Sequence, residues 1–256
     1  MATSNPLQSM NPSAPLSIAV FLTITTMIHF LYEGLIRPSA AHIIATEGAA
    51  ATTSFWVIIK DYEQQACLTL GLYCCFLMIY KAIRIVYEEP VYTWNHLADL
   101  SETENDLDTV LQQLENSQFR DSVGCRTWIN CILRYKNTAN VQHASDAITT
   151  TVDSLAHQLE AGNSLIRYFI WAIPSIGFVG TVRGIGAALA KAEEAIGGDI
   201  AGMVDKLGLA FNSTLVSLLI SLLLMLLLHL LNNQQDLMVI KTQQSCEDHL
   251  LTHLHH

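Results

Sequence analysis

Residues 164–189 read SLIRYFIWAIPSIGFVGTVRGIGAAL, and residues 207–231 read LGLAFNSTLVSLLISLLLMLLLHLL. Each segment is longer than the roughly 20 apolar residues that an α-helix needs to cross a bilayer. The short loop between them is acidic and contains Glu193, Glu194, Asp199 and Asp205. The two segments are therefore predicted to form a pair of antiparallel membrane helices joined by a polar loop.

Both segments carry small residues at the spacing i, i+4, i+7 and i+11, which is one face of an α-helix. Such a face is typical of helices that pack closely in a membrane, where a threonine hydroxyl can also bond back to its own helix. It equally fits a pore wall that carries two hydroxyls, and the spacing leaves both interpretations open. The faces consist of Gly177, Thr181, Gly184 and Ala188 in the first segment and of Ala210, Thr214, Ser217 and Ser221 in the second.

These two segments resemble a known family. Residues 174–184 read PSIGFVGTVRG, from Pro174 through Gly180 to Gly184. This run is similar to the P-x-x-G-x-x-G-T-V-x-G helix of the MotA/TolQ/ExbB proton-channel family. Residues 210–218 read AFNSTLVSL, which is similar to the A-L-x-x-T-x-x-G-L of that family's next helix. Ser217 stands where glycine is usual, and Leu209 stands where TolQ-like and ExbB-like members often carry a glutamate. A role for that glutamate therefore does not carry over to this chain.

The resemblance implies an all-α membrane protein with four transmembrane helices and a cytoplasmic helical extension. It implies a ring of copies, pentameric in the family, around a dimer of a MotB/TolR/ExbD-like single-span subunit that supplies a membrane aspartate. The flow of H⁺ or Na⁺ would be coupled to rotation of one component within the other. The large polar loop and both termini are cytoplasmic in that family, so the chain is expected to be a multi-pass protein of the bacterial cytoplasmic (inner) membrane.

The composition favours a membrane protein with one modest polar portion. Of the 256 residues, 51% are hydrophobic and only 14% are charged, and the mean hydropathy is +0.32. The formal net charge is −10 at pH 7, and no basic cluster occurs. Nucleic acid is therefore excluded as an expected partner, whereas membrane lipid is expected.

No catalytic site, cofactor or metal site is predicted. The sequence contains no H-E-x-x-H, G-x-S-x-G or P-loop motif, so an enzyme is disfavoured. The six cysteines form no C-x-x-C pair and indicate neither a disulfide nor a zinc framework. The histidines near the C-terminus are assigned no role: His249, His253, His255 and His256.

The alternation of apolar and polar runs divides the chain into five segments. The first membrane helix is expected from Pro15 to about Ile36 and the second from about Ala66 to Val86, with a loop over residues 38–63 between them. The segments are an N-terminal tail (1–13), the first two transmembrane helices with their loop (14–87), a cytoplasmic helical region (88–163), the channel core (164–231) and a cytoplasmic C-terminal tail (232–256).

The polar region is predicted to contain two amphipathic helices. The second of them meets only Gly162 as a breaker before the third membrane helix, so it can continue into that helix. Their apolar stripes consist of Leu100, Leu107, Leu111 and Leu114 in the first and of Val141, Ile148, Val152, Leu155 and Leu159 in the second.

The two threonines are predicted to lie at one depth. On a rise of about 1.5 Å per residue, Thr181 lies about 24 Å beyond Leu165, and Thr214 lies about 10 Å in from Leu207 on the return helix. Hydroxyls can pass a proton along or help to strip water from a cation, but they do not store a proton at neutral pH. Neither helix contains an aspartate or a glutamate, so the carboxylate that a relay needs is expected from another chain. We assign Thr181, Thr214, Ser217 and Ser221 to a candidate ion pathway.

Charged residues near the ends of the spans need partners or access to water. Arg183 would repel cations if it faced a pore, and a pair with Glu33 at a similar depth would neutralise both, so we expect that pair or an interfacial position. Lys81 is expected to extend to the membrane surface, as long basic side chains do. Pro174 is expected to loosen the backbone bond to Ile170 and to kink or hinge its helix.

These observations favour an ion-channel subunit of a proton- or sodium-driven motor complex. The alternative is a structural membrane scaffold that assembles partners without conducting ions. A small-solute transporter is disfavoured because the sequence shows neither an inverted repeat nor a pair of broken helices.

Overall fold

A computed structural model describes residues 10–93, 104–117, 119–120, 122–192, 196–197 and 200–251, and all regular secondary structure in these ranges is helical. The described ranges do not include the residues predicted for the tail before Met10, Leu100, three of the acidic loop residues (Glu193, Glu194 and Asp199) or the last three histidines. The α-helices are α1 (Ala14–Leu31), α2 (Arg37–Glu47), α3 (Phe55–Ile58), α4 (Tyr62–Thr93), α5 (Glu104–Asn116), α6 (Val123–Thr138), α7 (Val141–Gly162), α8 (Ser164–Leu189) and α9 (Ala201–Ser245).

Within the described residues, four helical stretches are long and apolar enough to cross a membrane. They are Ala14–Glu47, Tyr62–Pro90, Val141–Leu189 and Gly202–Asp248. The prediction of an all-α chain with four spans is therefore confirmed. The third stretch includes both α7 and α8, so the second amphipathic helix does continue into the third span.

The first helical stretch continues to Glu47, so the prediction of a loop from residue 38 is wrong. A π-helical turn, Tyr32–Ile36, joins α1 to α2, and the Arg37 N–H donates to the Tyr32 carbonyl across it. Proline has no N–H to donate, and in a regular helix its ring crowds the carbonyl four residues earlier. The wider turn ends two residues before Pro38, and it lets the helix continue past this residue.

After α2 the chain stays largely helical. Gly48 ends α2 with a φ of 59°, a conformation that costs glycine little, and a 3₁₀ helix, Gly48–Thr53, leads to α3. The buried side chains of Ala40, Ala51 and Val57 form a small apolar cluster that holds these short elements together. Residues 48–61, which join α2 to α4, are therefore a folded connection rather than an open loop.

Helix α9 is much longer than its predicted membrane span and continues past Leu231 into the predicted tail. The reason is an unbroken buried stripe with steps of three or four residues, which is the period of an α-helix. Beyond Leu231 the buried positions of the stripe are mostly polar, with one methionine, and their spacing is unchanged. It consists of Ala210, Ser213, Ser217, Ser221, Leu224, Leu228, Leu231, Gln235, Met238, Thr242 and Ser245.

The chain forms two compact units. The bundle unit consists of Ala14–Leu77 and Leu165–Leu228, and the polar unit consists of Met1–Ser13, Met78–Ser164 and His229–His256. In the bundle unit, Tyr73 of α4 packs edge-on against Phe21 of α1 and Phe169 of α8, with ring centroids 5.1 and 6.0 Å apart. This one aromatic side chain therefore ties α1 and α8 to α4.

The core of the polar unit is formed by α5, α6 and α7. Trp128 and Ile132 of α6 are fully buried between the apolar stripes of its neighbours, which include Leu107 and Ile148. Helix α6 was not predicted, although Ser122 begins it as an N-cap whose hydroxyl accepts a hydrogen bond from the Cys125 N–H. The apolar stripes predicted for α5 and α7 do face this core at Leu107, Leu114, Ile148 and Val152.

Lys81 is buried in the polar unit instead of extending to a surface, with only 2% of its area exposed. Its ammonium group donates to the Gly162 carbonyl at 2.8 Å and to Asn163 Oδ1 at 2.9 Å. Asn163 in turn donates to the side chains of Asn232 and Gln235 at 2.9 and 2.7 Å. The C-terminal end of α7 is thus held by a cation, which the helix dipole favours at that end.

Candidate functional site

Helices α8 and α9 lie in direct backbone-to-side-chain contact along their small-residue faces. A Cβ added at Gly177 would lie 1.9 Å from Ser217 Oγ, one at Gly180 would lie 2.6 Å from Ser213 Cβ, and one at Gly184 would lie 2.5 Å from Ala210 Cβ. These separations are far below van der Waals contact, so each glycine provides space that a neighbouring side chain already fills. The two faces that the sequence singled out therefore meet each other within one chain.

Thr181 and Thr214 lie against each other at the centre of this interface. Their hydroxyls form a hydrogen bond, and both side chains are half-buried. Thr181 Oγ1 also lies 3.1 Å from the Ala210 carbonyl oxygen, and Thr214 Oγ1 lies 3.3 Å from the Gly177 carbonyl oxygen. Each threonine therefore reaches a backbone acceptor on the opposite helix. Together they form a short polar track through an otherwise apolar contact.

The two serines of the predicted pathway make different bonds. The Ser217 hydroxyl donates to the Thr214 carbonyl of its own helix at 3.0 Å, and the Ser221 hydroxyl donates across the interface to the Ile170 carbonyl of α8 at 2.9 Å. Both side chains are buried, with 0% and 6% of their areas exposed. Ala188, the last small residue of the α8 face, is also buried.

The structure corrects the predicted partner of Arg183. Arg183 Nη2 lies 2.8 Å from Glu63 Oε2, whereas Glu33 forms an ion pair with Arg37. Glu33 and Arg37 are four residues apart on one helical stretch, where such pairs form readily. Helix α4 begins at Tyr62, four residues before its predicted start, and thereby brings Glu63 to the level of Arg183.

Glu63→Gln and Arg183→Met should each weaken the bundle unit by about 1 kcal/mol, and the double variant should lose less than the sum of the two. The estimate is modest because Arg183 is 57% exposed, so solvent screens its charge, whereas Glu63 is only 12% exposed. The measurement is a double-mutant cycle on the thermal unfolding of the detergent-solubilised protein. Glu33→Gln combined with Arg183→Met is the matched control and should be additive. Coupling in the control cycle and additivity in the Glu63 cycle would reverse the assignment.

A cluster of polar side chains connects the start of α4 to the residues on either side of the π-helical turn. Arg37 donates to Gln65 Oε1 at 3.0 Å, and its guanidinium lies over the Tyr62 ring, 3.9 Å from the centroid. Gln65 Nε2 lies 3.3 Å from His29 Nδ1, so one amide links the histidine to the arginine. His29 and Arg37 are therefore both joined to α4 through the side chain of Gln65. Cation–π contact adds to this attachment.

A cavity of about 260 Å³ lies beside the threonine pair in the bundle unit. Its charged lining consists of Lys60, Asp61, Arg183 and Lys206, and its remaining lining is made of small residues, Leu209 and Ser213. Gly180, Gly184 and Ala210 belong both to this lining and to the contact between α8 and α9. The polar track of the threonines therefore lies next to a space that is large enough for several water molecules.

Sequence reasoning missed Asp61 and Glu63 because it assigned them to a loop. A signal for the earlier helix start was present, since an acidic residue in the first turn is favourable at the positive end of a helix. It also missed Ser213, which packs against Gly180 and lies one position outside the small-residue face that was singled out. Among the described residues, no group of three or more histidine, cysteine or acidic side chains could hold a metal ion.

In the part of the chain that the structure describes, all regular secondary structure is helical and four apolar stretches have membrane-spanning length. Two of these stretches pack through glycine and small side chains, so the protein is a multi-pass membrane protein. The model of the MotA/TolQ/ExbB proton channel family matches residues 106–244. That match covers more than half of the chain and includes all of α6, α7 and α8, so the chain belongs to this family. No curated protein and no solved structure matches the chain significantly.

Membership of the family identifies the chain as a proton-channel-type membrane subunit. The family is associated with channels and transport and works with partner subunits in complexes. Thr181 and Thr214 both lie inside the matched region. The family match and the threonine contact therefore concern the same pair of helices.

Proposed function

We propose that the chain is the ion-channel, stator-like subunit of a proton- or sodium-driven motor complex in the bacterial inner membrane. Copies of the chain form a ring, a pentamer as in the family, around a dimer of a MotB/TolR/ExbD-like single-span subunit. Ion flow past α8 and α9 then drives motion of that partner relative to the ring. Membrane lipid surrounds the assembly.

The observation that carries this proposal is the hydrogen-bonded pair of Thr181 and Thr214 in the family-matched region. The pair supplies two hydroxyls and two adjacent carbonyl oxygens, which are ligands that a proton or a sodium ion can use. The pair itself does not store a proton at neutral pH, because both of its polar side chains are hydroxyls. Residues 165–189 and 207–231 contain no aspartate or glutamate. The proposed partner aspartate completes the pathway.

A non-conducting scaffold is the second candidate, and a specific observation favours it. Thr214 can donate to the Gly177 carbonyl while Thr181 donates to Ala210 or to Thr214, so both hydroxyl protons have acceptors within one chain. Two fully satisfied hydroxyls are what simple helix packing requires. The packing of the threonines therefore does not distinguish the two candidate functions, and a measurement of ion flux is needed.

The test is a flux measurement on the chain co-purified with a single-span protein that carries an aspartate early in its span, encoded by a neighbouring gene. The complex is reconstituted into vesicles that contain a pH-sensitive dye, and a potential is imposed with potassium and valinomycin. We expect proton entry, or uptake of labelled sodium in a parallel assay, that requires the partner aspartate. A complex that forms but passes neither ion would support the scaffold.

A further inference from the structure

Pro174 leaves a backbone carbonyl of α8 without its helical donor. It lies in the interior of this 26-residue helix, and a regular residue at this position would donate its N–H to the carbonyl of Ile170, four residues earlier. Proline has no N–H, so that bond is missing. Ile170 is buried, with 4% of its area exposed, and an unpaired carbonyl is costly in an apolar environment.

The Ser221 hydroxyl occupies the place of the missing donor. Its oxygen lies 2.9 Å from the Ile170 carbonyl oxygen, across the interface between α9 and α8. Serines on membrane helices commonly bond to their own helix, as Ser175 and Ser217 do here with the carbonyls of Trp171 and Thr214. Ser221 differs from both because its acceptor belongs to another helix.

We propose that Ser221 is a positioning residue that replaces the backbone donor absent at Pro174 and thereby fixes the register of α9 against α8. Ile170 lies three helical turns from Thr181, and Ser221 lies two turns from Thr214, on the same stripe in each helix. A bond between Ile170 and Ser221 therefore sets how far one helix can slide along the other, and with it the contact between the threonines. This role does not depend on ion conduction, so it stands apart from the proposed function. It removes Ser221 from the ion pathway.

The first test is a double-mutant cycle between Ser221→Ala and Pro174→Ala. Alanine at position 174 restores the backbone N–H that can reach the Ile170 carbonyl, so the serine becomes dispensable. We expect Ser221→Ala to lower the melting temperature of the solubilised protein by roughly 3 °C in the parent and by less than about 1 °C in the Pro174→Ala background. Equal losses in both backgrounds would overturn the proposal. Ser217→Ala, at a position one turn away that is also buried, is the matched control and should lose the same amount in both backgrounds.

The second test observes the carbonyl itself and needs no proline variant. Ile170–Trp171 is the single Ile–Trp pair in the sequence, so ¹³C-carbonyl isoleucine and ¹⁵N-tryptophan labels give one cross-peak in solid-state NMR of the protein in lipid vesicles. Loss of a hydrogen bond shifts a carbonyl signal upfield. We expect that shift in Ser221→Ala and not in Ser217→Ala. An unchanged signal in Ser221→Ala would overturn the proposal.

Discussion

Gly177→Ala is expected to lower the free energy of unfolding of the bundle unit by about 3 kcal/mol, at the upper end of the cost of overpacking. The new Cβ would lie 1.9 Å from Ser217 Oγ, 2.7 Å from Ser217 Cβ and 3.0 Å from the Ser213 carbonyl oxygen. Rotation of the serine hydroxyl removes only the first clash, because Cβ and the backbone cannot rotate away. Helices α8 and α9 must therefore separate, and the threonine pair separates with them. Thermal unfolding and the yield of assembled protein in mild detergent are the measurements.

The chain offers a matched control and a rescue for this substitution. A Cβ at Gly186, on the same helix, meets nothing within 4 Å, so Gly186→Ala should leave stability unchanged or slightly raised. Ser217→Gly removes two of the three atoms that crowd position 177, so Gly177→Ala combined with Ser217→Gly should recover most of the loss. A double variant that is no more stable than Gly177→Ala alone would show that the crowding is not the cause.

The interface between α8 and α9 could be predicted from sequence because it depends on spacing. Small residues at helical period mark a face, and the closest contacts do occur at Gly177, Gly184, Ala210 and Ser217. Spacing does not state which atoms a hydroxyl will reach. Pro174 predicts that the Ile170 carbonyl lacks its helical donor, but only the arrangement of two helices shows that Ser221 replaces that donor.

The charged residues were harder to predict, because helix ends decide their partners. Helix α4 begins four residues earlier than predicted, and Arg183 therefore pairs with Glu63 instead of Glu33. Pro38 indicated that the first helix ends there, but a π-helical turn before it accommodates the proline and the helix continues. Lys81 resembled a residue at the membrane surface, yet it is buried and donates to the Gly162 carbonyl and to Asn163, which are distant from it in sequence. Each of these outcomes depends on tertiary contacts that local patterns do not contain.

Thr181→Val and Thr214→Val are expected to reduce ion-driven flux about tenfold or more while the complex with the partner still assembles. Valine nearly matches threonine in shape but lacks the hydroxyl, and a group whose hydrogen bonding is worth 1–3 kcal/mol corresponds to about that factor. Thr→Ser at either position keeps the hydroxyl and should retain most of the flux. Thr23→Val is the control, because that hydroxyl is exposed and bonds only to the Ala19 carbonyl of its own helix.

The hydrogen bonds of the threonine pair allow this test to separate a role of the hydroxyls in ion flux from a role in packing. When Thr181 is valine, Thr214 still has the Gly177 carbonyl as its acceptor at 3.3 Å, and when Thr214 is valine, Thr181 still has the Ala210 carbonyl at 3.1 Å. Neither variant leaves a buried proton donor unpaired, so each should cost only about 1 kcal/mol of stability. A large loss of flux with intact assembly must then come from the missing hydroxyl in the ion path. Valine variants that conduct as well as the parent would make both threonines packing residues, and would leave the partner aspartate to act without them.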